Sequence, residues 1–233
     1  MLVLPFRTEK STDRFPLVTF FLVVINVLVY LYELRLAQVG QLQTAFLKWA
    51  IVPREVTTNP NLDVVLDFVR TMFFHGGWLH LLGNMLYLYI FGRNVEDTLG
   101  EWLYLFFYFF CGVAASLAQI VLSPWSPLPL VGASGAIAGL LGAYLILYPG
   151  ERVRVFFWFL HIVRVFRPRA DLVLGAWFVL QLFRGYTALD ANTAGGGVAY
   201  AAHIGGFVTG LLFVWLLIIT RPLWAPSSTR KPS

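Results

Sequence analysis

Ser134 stands in GASGAIAG (Gly132–Gly139), at the head of an apolar stretch that runs to Pro149. A serine is a poor nucleophile until a base takes its proton, and imidazole is the usual base. His203, in AHIGGFVTG (Ala202–Gly210), is the candidate. No Asp or Glu is close to His203 in the chain, so the pair reads as a dyad and not a triad. The GASGAI context also differs from the G-x-S-x-G turn of α/β-hydrolases. Acyl transfer needs donors for the oxyanion as well. A serine at a helix start has unpaired N–H groups beside it, and His80 and Asn84, at i and i+4, share one helix face. Blander readings stand beside these. Small residues at i and i+4 also make a helix-packing face with an incidental serine, and His80 and Asn84 could be hydrogen-bonding glue between helices. His75 reads as a loop anchor and His161 as an interfacial residue. His75, His80 and His203 have no carboxylate or thiol beside them, so no metal site is expected.

These groups must be positioned by membrane helices. Of the 233 residues, 58% are hydrophobic and 12% charged, whereas soluble domains carry about a quarter charged residues. No basic stripe with interleaved aromatics marks a nucleic-acid surface, and none is expected as a partner. Cys111 is the only cysteine, so no disulfide forms within the chain. The expected fold is all-α: a polytopic bundle of six transmembrane helices with a long structured first outer loop. The spans are Phe15–Glu33, Trp78–Val95, Glu101–Leu122, Ala133–Tyr148, Leu172–Tyr186 and Tyr200–Thr220. The first lacks a cleavage site and reads as a retained anchor. Leu34–Gly77 is too long for a simple turn. Glu151–Arg169, with arginines among its aromatics, reads as an interfacial helix. Residues 1–14 form a cytoplasmic segment, 15–220 the membrane domain, and 221–233 a short polar tail expected to be disordered.

The 17 Lys and Arg residues fall twelve to the inner side and five to the outer if both termini are cytoplasmic, as the positive-inside rule asks. The even-numbered spans then all run from outside to inside, each with its unusual residues in its first turns. At 1.5 Å per residue, Ser134, His203, His80 and Asn84 share one depth, roughly 3–9 Å below the outer helix ends. For His203 to reach Ser134, spans four and six must nearly touch. Ala202, Gly206 and Gly210 form a small stripe beside His203, facing Gly135 and Gly139 beside Ser134.

The stretches HGGWLHLLGNMLYLYIFGRNVEDTLG (His75–Gly100), GASGAIAG and AHIGGFVTG, in this order, resemble the rhomboid intramembrane serine proteases over about Phe15 to Thr220. The resemblance implies an endopeptidase that cuts transmembrane substrates in or near their membrane segments, without metal or cofactor. Ser134 would be the nucleophile, His203 the general base, and His80 and Asn84 the oxyanion-side residues. The fifth span and the glycine-rich stretch Asp190–Val198 would form a lateral gate and cap. The partners implied are membrane protein substrates and the lipid bilayer, in a bacterial-type plasma membrane; oligomeric state is left open. Two departures stand out. Leu66 and Asp67 replace a Trp-Arg pair of the first outer loop, so the loop must be anchored differently. Ala138 replaces an aromatic that stacks on the base in some members, so something else must orient His203. The alternative is a non-catalytic rhomboid-like scaffold that binds client membrane proteins; such relatives typically lack the serine or the histidine.

Overall fold

The computed structural model describes residues 2–12, 14–59, 62–159, 161–190 and 199–220. The glycine-rich stretch after Asp190 and the tail from Arg221 lie outside the described residues. Ten α-helices are described, and three of them are long and apolar enough to cross a membrane: α1 (Leu17–Gln38), α7 (Glu101–Leu122) and α10 (Tyr200–Thr220). A shorter apolar helix, α8 (Ser134–Leu147), sits among them with every residue from Gly135 to Tyr144 buried. It is hydrophobic all round because it is surrounded by other helices. The rod from Trp78 to Leu99 consists of α5 (Trp78–Tyr87), a π-helical turn (Leu88–Gly92) and α6 (Arg93–Leu99). The remaining long helix is α9 (Ala170–Asp190).

Carboxylates tie both ends of α1. The backbone N–H groups of Val18 and Thr19, at its N-terminus, each donate to Glu96 at 2.8 Å, where a negative charge also meets the positive end of the helix dipole. At the other end buried Glu33 accepts from the His75 N–H at 3.1 and 3.2 Å.

The long segment after α1 does carry structure: α2 (Leu42–Trp49), α3 (Pro53–Thr58) and α4 (Leu62–Arg70). Its anchor is Thr71. The Thr71 carbonyl accepts from the Gly132 N–H at 3.0 Å, and its hydroxyl donates to the Leu130 carbonyl. The Leu130 N–H in turn donates to the Ile51 carbonyl at 2.7 Å. Where a Trp-Arg pair is missing, Asp67 is buried and accepts from Arg70 at 2.9 Å. The segment after α1 is thus stitched to the run that leads into Ser134.

The all-α expectation is corrected by a three-stranded antiparallel sheet, β1 (Leu2–Thr8), β2 (Val153–Phe159) and β3 (Ile162–Phe166), in the order β1-β2-β3. The expected interfacial helix at Glu151–Arg169 is therefore a β-hairpin, paired from Val155 against Phe166 to Phe159 against Ile162. The physical reason is in the residue types. Val, Phe and Trp dominate the run, and Arg alternates with Val in RVRV, a period of two that suits a pleated surface. Val153, Val155 and Thr8 share the buried face of this sheet. Thr8 donates to Asn94 of α6 at 3.0 Å, which docks the sheet against the α6 end of the bundle. Residues 1–14, read as a segment apart, thus contribute a strand of this sheet.

Candidate active site

Ser134 is the first residue of α8, and His203 lies in the first turn of α10. The Ser134 hydroxyl donates to His203 Nε2 at 2.8 Å. The two helices run side by side at backbone contact. A Cβ at Gly206 would lie 2.1 Å from the Gly135 carbonyl oxygen, and one at Gly210 2.0 Å from that of Gly139. On their other side Gly135 and Gly139 face α7, where added Cβ atoms would meet those of Ala115 and Cys111 at 2.6 and 2.5 Å. Small residues on both helices let the main chains approach this closely, so Gly135, Gly139, Gly206 and Gly210 all lie in the seam that brings serine and histidine together.

Gly132, two residues before Ser134, has φ 122°, a backbone conformation open chiefly to glycine. A side chain there would also collide with His80, whose Nε2 would lie 2.7 Å from the new Cβ; Asn84 Nδ2 would lie 3.4 Å away. His80 and Asn84 therefore line the turn that delivers Ser134. The Gly76 N–H points at His80 Nδ1 at 3.4 Å. With Nδ1 accepting, Nε2 carries the proton and is a donor aimed at the Gly132 side. Asn84 is buried, and its Nδ2 has no hydrogen-bond partner among the described residues. An unpaired buried amide is costly, and this one lies against Gly132, two residues before Ser134. The first-turn N–H groups of α8 have no i−4 carbonyl partner in the helix, since the first such bond is from Ile137 to Ala133.

A cavity of about 30 Å³ opens beside Ser134, bounded by Met72, Ser116, Leu130, Val131 and Ala202. A larger one, about 290 Å³, lies at the opposite end of the bundle among Arg14, Arg93, Glu96 and Trp102, away from the serine. His75 is fully buried in the turn before α5, and its Nδ1 donates to the Phe73 carbonyl at 3.1 Å. Burial, with the neighbouring His80 second, pushes its imidazole down to about 4, so it stays neutral at pH 7. It packs edge-on against His80, with ring centroids 5.1 Å apart, and supports that ring from behind. His161 is exposed at the turn of the hairpin, remote from the serine.

Two residues at the site were missed by reading the sequence. Gln181, buried on α9, accepts from His203 Nδ1–H through Oε1 at 3.0 Å. The available signal was an amide in the middle of an apolar span, where a polar side chain is a functional candidate by default. Trp177, one turn earlier, lies over the same imidazole with ring centroids 5.9 Å apart. These two contact the imidazole that Ala138, having no ring, cannot stack on.

A profile of the Rhomboid domain matches residues 63–220. The chain is 29% identical over 205 residues to Rhomboid-like protein 11, chloroplastic, of Arabidopsis thaliana, covering 85% of this chain and 64% of that one. It is 27% identical over 178 residues to Rhomboid protein 1, mitochondrial, of Saccharomyces cerevisiae, covering 73% and 45%. To Rhomboid protease GluP of Bacillus subtilis it is 32% identical over 136 residues, covering 58% and 23%. The chain thus spans less than two thirds of the length of each of these relatives. With the profile covering more than half of its length, this chain belongs to the rhomboid family.

Proposed function

We propose that this chain is an intramembrane serine endopeptidase that cleaves transmembrane proteins in or near their membrane segments. The observation that carries the reading is the 2.8 Å contact from Ser134 Oγ to His203 Nε2, at hydrogen-bond reach for nucleophile and base. A non-catalytic scaffold would have no need of this contact.

In this reading residues 15–220 form the membrane domain, crossing six times with both termini on the arginine-rich side, so that Ser134 lies toward the outer leaflet. Ser134 Oγ attacks the substrate carbonyl while His203 Nε2 takes its proton. The negative charge that develops on the carbonyl oxygen is met by the Asn84 amide, the His80 Nε2–H and the first N–H groups of α8. His203 then gives its proton to the departing amine, and water hydrolyses the acyl-enzyme by the same route in reverse. A substrate helix keeps its peptide groups bonded internally, so it must unwind before Ser134 can reach a carbonyl. Segments with Gly, Pro or other helix-weakening residues near the outer leaflet should be preferred. The test is covalent labelling of the purified chain by a fluorophosphonate. Wild type should be labelled at Ser134 and cleave a model transmembrane substrate, Ser134→Ala should do neither, and an unlabelled, inactive wild type would sink the proposal.

A further inference from the structure

A neutral imidazole carries one donor and one acceptor, and which nitrogen holds the proton is set by its partners. For His203 to accept from Ser134 through Nε2, its proton must sit on Nδ1. That N–H points into a buried place, where an unpaired donor would be costly. Gln181 Oε1 meets it at 3.0 Å. The partner is an amide and not a carboxylate, so it fixes tautomer and ring angle while offering the imidazolium only a dipole.

We propose that Gln181 is the positioning residue of the dyad: from α9 it holds His203 in the Nδ1–H form that can accept from Ser134, so the competence of the base depends on α9 staying docked against α10. This rests on the serine-protease reading above. Trp177 and Gln181 stand at i and i+4, on one face of α9, and both address the same ring. Next to them Phe178 stacks on Phe207 of α10 at 4.3 Å. The opposite face of α9, with Val179, Phe183 and Tyr186, is exposed. On α8, Ala138 has no ring to offer. A displacement of α9 by a few ångströms would leave Ser134 and His203 in contact through the α8–α10 seam, yet would strip the base of its acceptor.

The test uses the full chain with ¹⁵N-labelled histidine, in lipid nanodiscs. The chain has four histidines, so the His203 signals are assigned by their loss in His203→Ala. Wild type should show Nδ1 protonated and Nε2 bare. In Gln181→Leu the two tautomers should mix, and kcat should fall about tenfold or more, a part of the roughly 10²–10⁴-fold that a general base contributes in all, with KM and Tm nearly unchanged. Gln181→Glu restores an acceptor and should recover kcat. The groups facing His203 are Ser134 on α8 and His80 on α5; on α7 the uncharged Gln119 accepts the neighbouring Ala202 N–H at 3.2 Å, and Arg184 on α9 is exposed. The new carboxylate would favour the protonated imidazole, so the acid limb of kcat/KM should move to higher pH. Wild-type kcat with an unchanged tautomer signal in Gln181→Leu would overturn the proposal. If that variant does not fold, Gln181→Glu decides alone, since an unshifted acid limb overturns it and a shifted one supports it. A wild type that is neither labelled nor active removes the protease reading, and the ¹⁵N signal then still decides whether Gln181 holds the proton on Nδ1.

Discussion

Helix α10 is held on two sides in different ways. Toward α8, main chain meets main chain: besides the contacts at Gly206 and Gly210, a Cβ at Gly142 would lie 2.1 Å from the Phe207 carbonyl oxygen. Toward α9, side chain meets side chain, through Phe178 on Phe207 and Gln181 on His203. A Cβ at Gly185 of α9 would reach only Ile204 and Tyr200 side-chain atoms, both at 3.4 Å, which is ordinary contact. A backbone seam cannot adjust without separating two helices, whereas side chains can change rotamer. The first flank sets the distance between Ser134 and His203, and the second sets how the imidazole is turned.

The largest expected effect removes what both flanks serve. Ser134→Ala and His203→Ala should each bring substrate cleavage to background while the chain stays folded. The double variant should be hardly worse than either single one, because residues that act as a unit are not additive. Detergent-solubilised Ser134→Ala with wild-type turnover would show that no dyad operates.

Breaking the α8 flank comes next. Gly206→Val puts a branched side chain where even one carbon would lie 2.1 Å from a backbone oxygen, so the helices must part by more than 1 Å. Misplacement of about 1 Å can cost roughly a hundredfold, so the loss should exceed that. It should appear in kcat/KM while membrane insertion, read by protease protection, persists. Full activity in this variant would mean that the seam does not set the Ser134–His203 distance.

Asn84 touches neither flank and calibrates both. If its unpaired Nδ2 serves the oxyanion, Asn84→Ala should lower kcat by roughly 10²–10³-fold and slow phosphonate labelling of Ser134 without abolishing it. Stability should drop little, since hydrogen bonds between membrane helices average about 0.6 kcal/mol in measured cases. An Asn84→Ala chain that unfolds, or one that keeps full kcat, would make Asn84 a structural residue.

The two flanks were not equally legible in the sequence. Small residues at helical spacing beside Ser134 (Gly135, Gly139) and His203 (Ala202, Gly206, Gly210) carry their own meaning, since that spacing already places them on one face; the observed contacts of Gly206 with Gly135 and Gly210 with Gly139 follow it. Gln181 carries none. A single amide gives no periodicity, and only the packing of α9 on α10 brings it to an imidazole 22 positions away. Ser134, His203, His80 and Asn84 could be grouped because they share a depth, which is a property of each span by itself. The sheet failed for a different reason. Arg152, Val153, Arg154 and Val155 alternate with a period of two, but a membrane context and a run of aromatics drew the segment toward a helix, and its partner strand lies about 150 residues away at the N-terminus. Such distant pairing has no local sign. The segment Leu34–Gly77 was intermediate. Its length announced structure, yet the role of Thr71 depends on contacts with Leu130 and Gly132 across the fold.

The smallest effect sharpens the contrast by using one substitution on both flanks. Gly175 lies in α9, and a Cβ there would meet nothing within 4 Å. Gly210 lies in α10, and the same carbon would stand 2.0 Å from the Gly139 carbonyl oxygen. Alanine is favoured over glycine inside a helix by about 1 kcal/mol, partly because the unfolded chain loses freedom. Gly175→Ala should therefore keep wild-type kcat and raise Tm slightly. Gly210→Ala gains the same propensity but must push α8 away, so it should lower both Tm and kcat. The sign of the stability change, measured by thermal unfolding in one detergent, is the decisive quantity. Were both variants equally tolerated, backbone contact along α8 and α10 would not distinguish that flank from the other. Were Gly175→Ala to lower kcat with Tm intact, α9 would be less free to accept substitutions than its open surface implies, and the flank that turns His203 would be as tightly specified as the one that holds it.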